Sequence, residues 1–235
     1  MNVRDGSRET AAAWDRIWSS HSYRFARVRS TRAKFKVAAA IELGMKFEPG
    51  ERVLDIACGS GDNLIEAASR MSAGAHLVTI DISATALGLA RNNFERAGLE
   101  VQPVRADWRG LPFRSGSIDK VMAFMAPFPA IIEEIARVLA PGGKLFMIAL
   151  SSDSITSIFY RVQESWRREP FDERRNYSAH QLLGVLGQSL MVEEWRILHS
   201  GPDRPWSRMI DRSIARWLPE WGRYIMVRGA KSAAR

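Results

Sequence analysis

Apolar and polar positions along the chain fall into two alternating kinds of segment. Short and almost wholly apolar runs lie at about 52–57, 76–81, 101–105, 118–124 and 143–149, as is typical of parallel strands covered on both faces. Helical patterns lie between them at about 62–72, 83–97 and 129–139, and Ser83 is a candidate N-cap. Strands that alternate with helices predict an α/β fold with a doubly wound sheet and right-handed crossovers.

Further elements precede and follow this alternation. Residues from about 9 to 46 show helical patterns, and Pro141-Gly142-Gly143 is expected to end one helix and open the next strand. A helix is predicted at 177–186, with Ser178 as its N-cap, and strands at 192–198 and 224–227. We therefore expect helices within 1–46 and one domain at 47–235, whose residues 151–222 are less regular.

Composition narrows the class of protein. The 235 residues are 46% apolar, which is enough for one sizeable core. The single cysteine allows neither an internal disulfide nor a cysteine-based zinc site, and no metal site is expected. No run of about 18 apolar residues occurs, so we expect no membrane span. A cytoplasmic protein, monomeric or homodimeric, is the resulting expectation.

The net charge of +8 raises the question of anionic partners. Part of the charge lies in one stretch without an intervening acid, formed by Arg24, Arg27, Arg29, Arg32, Lys34 and Lys36. This stretch could bind nucleic acid, but a solvated helix face explains it more simply because basic residues favour exposure.

The most informative motif lies at residues 53–63. Its strand ends in an acid, Asp55, and a tight turn, Gly59-Ser60-Gly61, leads into the next helix. A second acid, Asp81, ends the next strand. In an open parallel sheet such strand ends meet at the ligand-binding edge, where a carboxylate can accept hydrogen bonds from ribose hydroxyls. The motif predicts a nucleoside-binding pocket.

A dinucleotide is the main alternative ligand for this motif. The dinucleotide fingerprint has a third glycine three residues after the second, where this chain has Leu64. The acids Asp55 and Asp62 flank the loop and would repel a pyrophosphate, whereas a cationic ligand would be attracted. A ligand with an amino group and a sulfonium centre fits the motif better.

The chain resembles the class I S-adenosylmethionine-dependent methyltransferase family over about residues 37–150. The resemblance rests on five elements in order: the 53–61 motif, Asp81, Ala106-Asp107, residues 118–121 and residues 139–145. It implies a Rossmann-like methyltransferase fold with a mostly parallel seven-stranded sheet, an N-terminal helical lid at 1–46 and substrate-side insertions at 151–222. The resemblance is greatest to the branch of the family that modifies small molecules, quinones and sterols.

The resemblance also implies S-adenosylmethionine as the cofactor and a role for each matching residue. Asp55 would orient the loop or reach the cofactor's amino group through water, and Asp81 would bind the ribose hydroxyls. Asp107 would accept a hydrogen bond from the adenine amino group. The remaining cofactor-binding residues implied are Ala57, Cys58, Gly59, Gly61, Ile82, Ala106, Trp108, Phe124 and Met125. Cys58 could be a nucleophile, but a small residue packed beneath the loop is the simpler interpretation.

The acceptor is expected to be a small molecule, apolar or aromatic, and nucleic acid is not favoured. The Asn/Asp-Pro-Pro-aromatic motif of many enzymes that methylate bases is missing after the fourth strand, where Met125-Ala-Pro-Phe-Pro129 stands. Candidates for a base or an acceptor-orienting group are His21, Tyr23, Tyr177 and His180. Two alternatives stay open: cyclisation of the cofactor's own aminobutyrate chain, and a non-catalytic nucleoside- or RNA-binding protein.

Overall fold

The computed structural model describes residues 3–19, 31–71, 74–126, 131–154, 157, 177–199, 209 and 212–233. The strands are β1 (Arg52–Ile56), β2 (His76–Asp81), β3 (Gln102–Arg105), β4 (Ile118–Phe124), β5 (Leu139–Leu150), β6 (Met191–Leu198) and β7 (Tyr224–Ala230). The helices are α1 (Val3–Ser19), α2 (Thr31–Glu42), α3 (Asp62–Ala68), α4 (Ala84–Arg96), α5 (Ile132–Val138) and α6 (Ala179–Leu186).

The seven strands form one sheet in the order β3-β2-β1-β4-β5-β7-β6. Strands β1 to β5 are parallel to one another, and β7 runs antiparallel between β5 and β6. The predicted mostly parallel, doubly wound sheet is therefore confirmed. The strand order reverses between β1 and β4, and in this class of fold ligands bind beyond the carboxyl ends of the strands at that point.

The sheet buries apolar side chains on both faces. Successive residues of β1 and β4 point to opposite faces, so that Leu54 and Val121 belong to one core cluster and Val53 and Met122 to the other. Helices α5 and α6 cover the first face, and α2, α3 and α4 cover the second. Two covered faces explain why the central strands are almost continuously apolar in sequence.

Two predicted helix caps are confirmed. The Ser83 hydroxyl accepts a hydrogen bond from the Ala86 N–H and caps α4. Ser178 caps α6 in a capping box, in which its hydroxyl accepts from the Gln181 N–H and the Gln181 side chain accepts from the Ser178 N–H. These caps are local in sequence, which is why the pattern could predict them.

The prediction at Pro141-Gly142-Gly143 was wrong. The preceding helix ends at Val138, and β5 begins at Leu139 rather than at 143. Leu139 pairs with Ile118, and Lys144 pairs with Lys120, so the Pro-Gly-Gly segment forms an irregularity inside the strand. This irregularity needs both of its glycines. Gly142 has a φ of 75°, and a Cβ at Gly143 would lie 2.8 Å from the Ala140 carbonyl oxygen.

Candidate functional site

A cavity of about 210 Å³ lies at the carboxyl ends of β1, β2 and β4. Its walls are mostly apolar and aromatic, as is usual for small-molecule sites. Among the described residues it is lined by Trp14, Trp18, Ile56, Ala57, Gly59, Ile80, Asp81, Ile82, Ala106, Trp108, Phe124 and Met125. Eight of the predicted cofactor-binding residues are among these twelve, and Asp55, Cys58, Gly61 and Asp107 are not.

Backbone strain is concentrated at this cavity. Ala57 follows β1 with a φ of 55°, and Met125 follows β4 with a φ of 66°. Among the described residues these are the two non-glycine residues with positive φ, a conformation that costs roughly 1–2 kcal/mol for an L-residue. Strain of this kind is typical of functional sites, where the surrounding fold holds the backbone in place.

Asp81 fixes the glycine loop to the end of β2. One of its carboxylate oxygens accepts a hydrogen bond from the Gly59 N–H at 2.9 Å, and the other accepts from the Ser83 N–H at 2.9 Å. Burial raises the pKa of Asp81, and these backbone hydrogen bonds oppose that rise. Each oxygen keeps a further lone pair, so the carboxylate can also accept from a ligand that enters the cavity.

Asp55 is buried without a full set of partners. Its side chain is 1% exposed, and Oδ2 has no hydrogen-bond partner among the described residues. Burial raises the pKa of Asp55 to about 7, although the positive charge of Lys36 on α2 lowers it. The carboxyl does not cap α3, because the N-cap position of that helix is Gly61 and has no side-chain hydrogen bond.

The two glycines of the loop serve different neighbours. A Cβ at Gly59 would lie 2.6 Å from the indole ring of Trp18, which α1 places over the loop. A Cβ at Gly61 would lie 2.6 Å from the ring of Phe94 on α4. Gly59 therefore lets the loop face the cavity and its aromatic cover, whereas Gly61 lets the loop pack against a core helix.

Helix α1 is attached to the site through Asp15. Its carboxylate accepts hydrogen bonds from the Ser83 hydroxyl at 2.6 Å and the Thr85 N–H at 3.0 Å, and Arg105 lies 3.8 Å away. Burial alone would raise the pKa of Asp15, but these contacts outweigh it and lower the pKa. The ionised carboxylate thus lies at the N-terminus of α4, where the helix dipole favours an anion.

The side of the cavity beyond β2 and β3 contains the residues that were expected near adenine. Ile82, Ala106 and Trp108 line the cavity, and Trp108 also belongs to the core, at 6% exposure. Asp107 lies outside the cavity lining, and its carboxylate accepts hydrogen bonds from Arg109 at distances down to 2.6 Å. Any adenine contact by Asp107 would have to share the carboxylate with this arginine.

Cys58 is a packed thiol in this structure. It is 4% exposed, within the core cluster beneath the loop, and burial raises its pKa well above the ordinary value. A nucleophilic cysteine needs a depressed pKa and access to solvent, so the environment of Cys58 favours the structural interpretation.

The structure describes two of the four candidate bases, and neither of these two lines the cavity. His21 and Tyr23 lie outside the described residues. Tyr177 precedes α6 and forms a single bridge with Ser151, and His180 is exposed and lies 3.2 Å from Glu220. Neither Tyr177 nor His180 lines the cavity, and a catalytic role for any of the four stays a prediction.

The predicted cofactor-binding residues did not include the lining residues Trp14, Trp18, Ile56 and Ile80, nor Asp15 and Lys36, which lie outside the lining. Asp15 contacts residues about 70 positions away, and Lys36 was interpreted as part of a solvated basic stretch. Arg32 and Lys34 of that stretch are exposed, whereas Lys36 is partly buried. No local pattern distinguishes Lys36 from its neighbours; only the packing of α2 does.

Comparisons with known proteins agree with this geometry. Residues 53–143 match the family model of a methyltransferase domain. A demethylmenaquinone methyltransferase of Thermus thermophilus is 38% identical over 114 residues, which are 46% of this chain and 51% of that protein. A sterol 24-C-methyltransferase of Schizosaccharomyces pombe is 26% identical over 205 residues, covering 82% of this chain and 53% of that protein. The chain thus spans about half the length of these curated relatives.

Solved structures share the fold. A geranyl diphosphate methyltransferase, solved in complex with GPP and sinefungin, superposes with a TM-score of 0.63 at 15% identity, over 85% of this chain and 76% of that one. At this identity the likeness concerns the fold alone. Together, the comparisons confirm the Rossmann-like methyltransferase fold and the resemblance on which the sequence interpretation rests.

Proposed function

We propose that the protein methylates a small apolar molecule with S-adenosylmethionine, because residues 53–143 match the family model of a methyltransferase domain and a demethylmenaquinone methyltransferase is 38% identical over 114 residues. The observation that carries this proposal is the cavity at the ends of β1, β2 and β4, in which Asp81 is hydrogen-bonded to the glycine loop. The chain spans about half the length of these curated relatives, so the activity of the whole protein is part of the proposal.

The residues present fit the cofactor. Asp81 would bind the ribose hydroxyls, and Ile82, Ala106 and Trp108 would enclose the adenine. Ala57 to Gly61 would hold the methionine portion, next to the unpaired buried oxygen of Asp55. An orphaned carboxylate oxygen suits the cationic amino group of this cofactor, because a buried charge without a partner is otherwise costly.

Bound there, S-adenosylmethionine would supply an electrophilic methyl group on a sulfonium centre. The contribution of the chain is to align the reactants and exclude water. Trp14 and Trp18 on α1 cover the cavity, and Phe124 and Met125 line it after β4. Among the described residues of the lining, Asp81 is the single ionisable side chain, so the walls orient an acceptor through apolar contact.

These walls support the proposal of an apolar acceptor, and so do the names of the relatives. The names of the matched proteins mention demethylmenaquinone, a sterol and geranyl diphosphate, all of which carry large hydrocarbon portions. The described residues include no helix with the length and apolarity needed to cross a membrane. The cytoplasmic location and the oligomeric state stay predictions.

Calorimetry tests the cofactor assignment directly. We expect S-adenosylhomocysteine to bind, NAD not to bind, and Asp81→Ala to weaken binding of the former by about 10- to 100-fold, since hydrogen bonds to a charged group contribute roughly 1.5–3 kcal/mol. A Glu95→Ala variant is the control, because Glu95 is an exposed acid on α4 and lies outside the cavity lining. Unchanged affinity in Asp81→Ala would show that the ribose site is misassigned.

Product analysis tests the reaction. The protein is incubated with S-adenosylmethionine labelled at its methyl group and with a demethylated prenyl quinone or a sterol. The label should then appear in the lipid extracted into the organic phase, while S-adenosylhomocysteine forms in the aqueous phase. Release of methylthioadenosine from cofactor alone would favour cyclisation instead. Steeply salt-dependent binding of RNA, with no binding of the cofactor, would favour the non-catalytic alternative.

A further inference from the structure

The chain leaves β6 and enters β7 at the same edge of the sheet as the cavity. Tyr224, the first residue of β7, pairs with Leu198 at the end of β6 and with Leu150 at the carboxyl end of β5. Strand β5 is parallel to β4, whose carboxyl end borders the cavity. Neighbouring strands lie about 4.8 Å apart, so the start of β7 is about 10 Å across the sheet from the end of β4.

Residues 212–223, which precede β7, are attached to that edge. The Gly222 N–H donates a hydrogen bond to the Asp153 carbonyl oxygen at 2.8 Å, shortly after the end of β5. His180, at the start of α6, lies 3.2 Å from Glu220. These contacts hold the end of the connection beside the carboxyl ends of the strands, where a ligand would enter the cavity.

Residues 212–218, which we call the Arg-Trp segment, expose apolar and basic side chains together. Trp217 is 86% exposed, and Leu218 beside it is 54% exposed. Arg212 and Arg216 are also exposed, and the segment contains no acid. Large apolar side chains that are exposed side by side and bordered by polar ones are typical of interaction sites.

An anionic lipid bilayer complements this combination of side chains. Tryptophan is favoured at the boundary between lipid and water, because its ring is largely apolar and its N–H is polar. Arginines are attracted by the negative potential of anionic headgroups. The acceptor gives a second reason, because the apolar molecule of the proposed function would dissolve in a bilayer and would enter the cavity from this edge.

We propose that the Arg-Trp segment docks the protein on the surface of an anionic lipid bilayer. Trp217 and Leu218 would enter the boundary between headgroups and acyl chains, and Arg212 and Arg216 would bind the phosphates of the headgroups. The proposal rests on the proposed function only for the reason why docking is useful, since binding to lipid itself needs no methyl transfer.

Co-sedimentation of the full chain with lipid vesicles tests the docking. The wild-type protein should bind vesicles of phosphatidylcholine and phosphatidylglycerol about 10- to 30-fold more tightly than vesicles of phosphatidylcholine alone, because each of two arginines near an anionic surface contributes about fivefold. Arg212→Gln/Arg216→Gln should remove most of this preference. Trp217→Ala/Leu218→Ala should weaken binding to the anionic vesicles by about 10-fold or more, since the buried apolar area is lost.

Two control variants carry matched changes elsewhere. Arg91→Gln/Arg96→Gln removes two exposed arginines from α4, and Met191→Ala removes an exposed apolar side chain at the opposite edge of the sheet, where β6 begins. Both should bind the vesicles within about twofold of the wild type, because the attraction to lipid acts only near the membrane surface. Urea unfolding shows whether each variant is folded.

Quenching of tryptophan fluorescence by brominated lipid gives a second measurement. Quenching should occur in the wild-type protein and should largely disappear in Trp217→Phe, because Trp217 is the ring that enters the lipid. Quenching that is unchanged in Trp217→Phe overturns this placement.

Several other outcomes overturn the docking. These are no binding of the wild-type protein to either kind of vesicle, equal binding to both kinds, or an equal loss of binding in the control variants. Self-association without lipid that Trp217→Ala/Leu218→Ala abolishes, as measured by analytical ultracentrifugation, would assign the Arg-Trp segment to an interface between copies instead. Calorimetry with S-adenosylhomocysteine separates the two proposals: a protein that binds anionic vesicles but not this ligand keeps the docking and loses the proposed function.

Discussion

Replacing Gly61 with alanine should destabilise the protein far more than the same change at Gly59. Both glycines have positive φ, 81° and 56°, and a Cβ at either would lie 2.6 Å from an aromatic ring. The rings differ in their freedom to move. Phe94 is 3% exposed within the core, whereas Trp18 is only partly buried, near the end of α1.

The expected magnitudes follow from this difference. The left-handed backbone costs roughly 1–2 kcal/mol for alanine at either position. At Gly61, overpacking against a core ring adds roughly 1–3 kcal/mol, for a total loss of about 2–5 kcal/mol. At Gly59, Trp18 can move away, so the loss of stability should stay near the backbone cost. The displaced indole would instead disturb the cover of the cavity and weaken cofactor binding.

Urea unfolding followed by circular dichroism measures the free energy of unfolding of both variants, and calorimetry with S-adenosylhomocysteine measures binding. A Gly59→Ala/Trp18→Ala double variant is the control for the clash, because it removes the ring that the new Cβ would meet. If both glycine variants lose the same stability, or if Gly59→Ala binds the ligand like the wild type, the packing argument is wrong.

Three further predictions concern single side chains. Asp15→Ala should speed dissociation of S-adenosylhomocysteine several-fold, since α1 loses its hydrogen bonds to Ser83 and Thr85; stopped-flow tryptophan fluorescence measures this rate, and an unchanged rate would contradict it. Burial raises the pKa of Asp55 from 3.8 to about 7, so the stability it contributes is present below pH 4 and lost as pH rises through 7. At pH 8 the free energy of unfolding of Asp55→Asn should therefore exceed that of the wild type by roughly 2–4 kcal/mol. Urea unfolding at pH 4 should show no such gain, and the same gain at both pH values would contradict the reasoning. Cys58 should resist alkylation at pH 8 until the protein unfolds, as thiol labelling under native and denaturing conditions would show; rapid native labelling would contradict its burial.

Much of the fold could be predicted from the sequence because its signals are local. The apolar strands, the caps at Ser83 and Ser178 and the acids at the ends of β1 and β2 are each visible within a few residues of chain. The parallel topology then brings Asp55, the glycine loop and Asp81 to one edge of the sheet. The boundary at Leu139 was missed because a strand can contain a Pro-Gly-Gly irregularity when its partner shifts register.

The sequence by itself determined that this protein has an α/β sheet with a nucleoside-type loop between two acids. The tertiary structure decided what surrounds that loop and which side chains are covered: Trp18 lies over Gly59, Asp15 attaches α1 to α4, and Lys36 is partly buried while Lys34 is exposed. The contacts of Trp18 and Asp15 join α1 to segments far away in the chain, and no periodicity or spacing encodes them. Whether a lysine in a basic stretch is exposed or partly buried depends on which side of its helix the core covers.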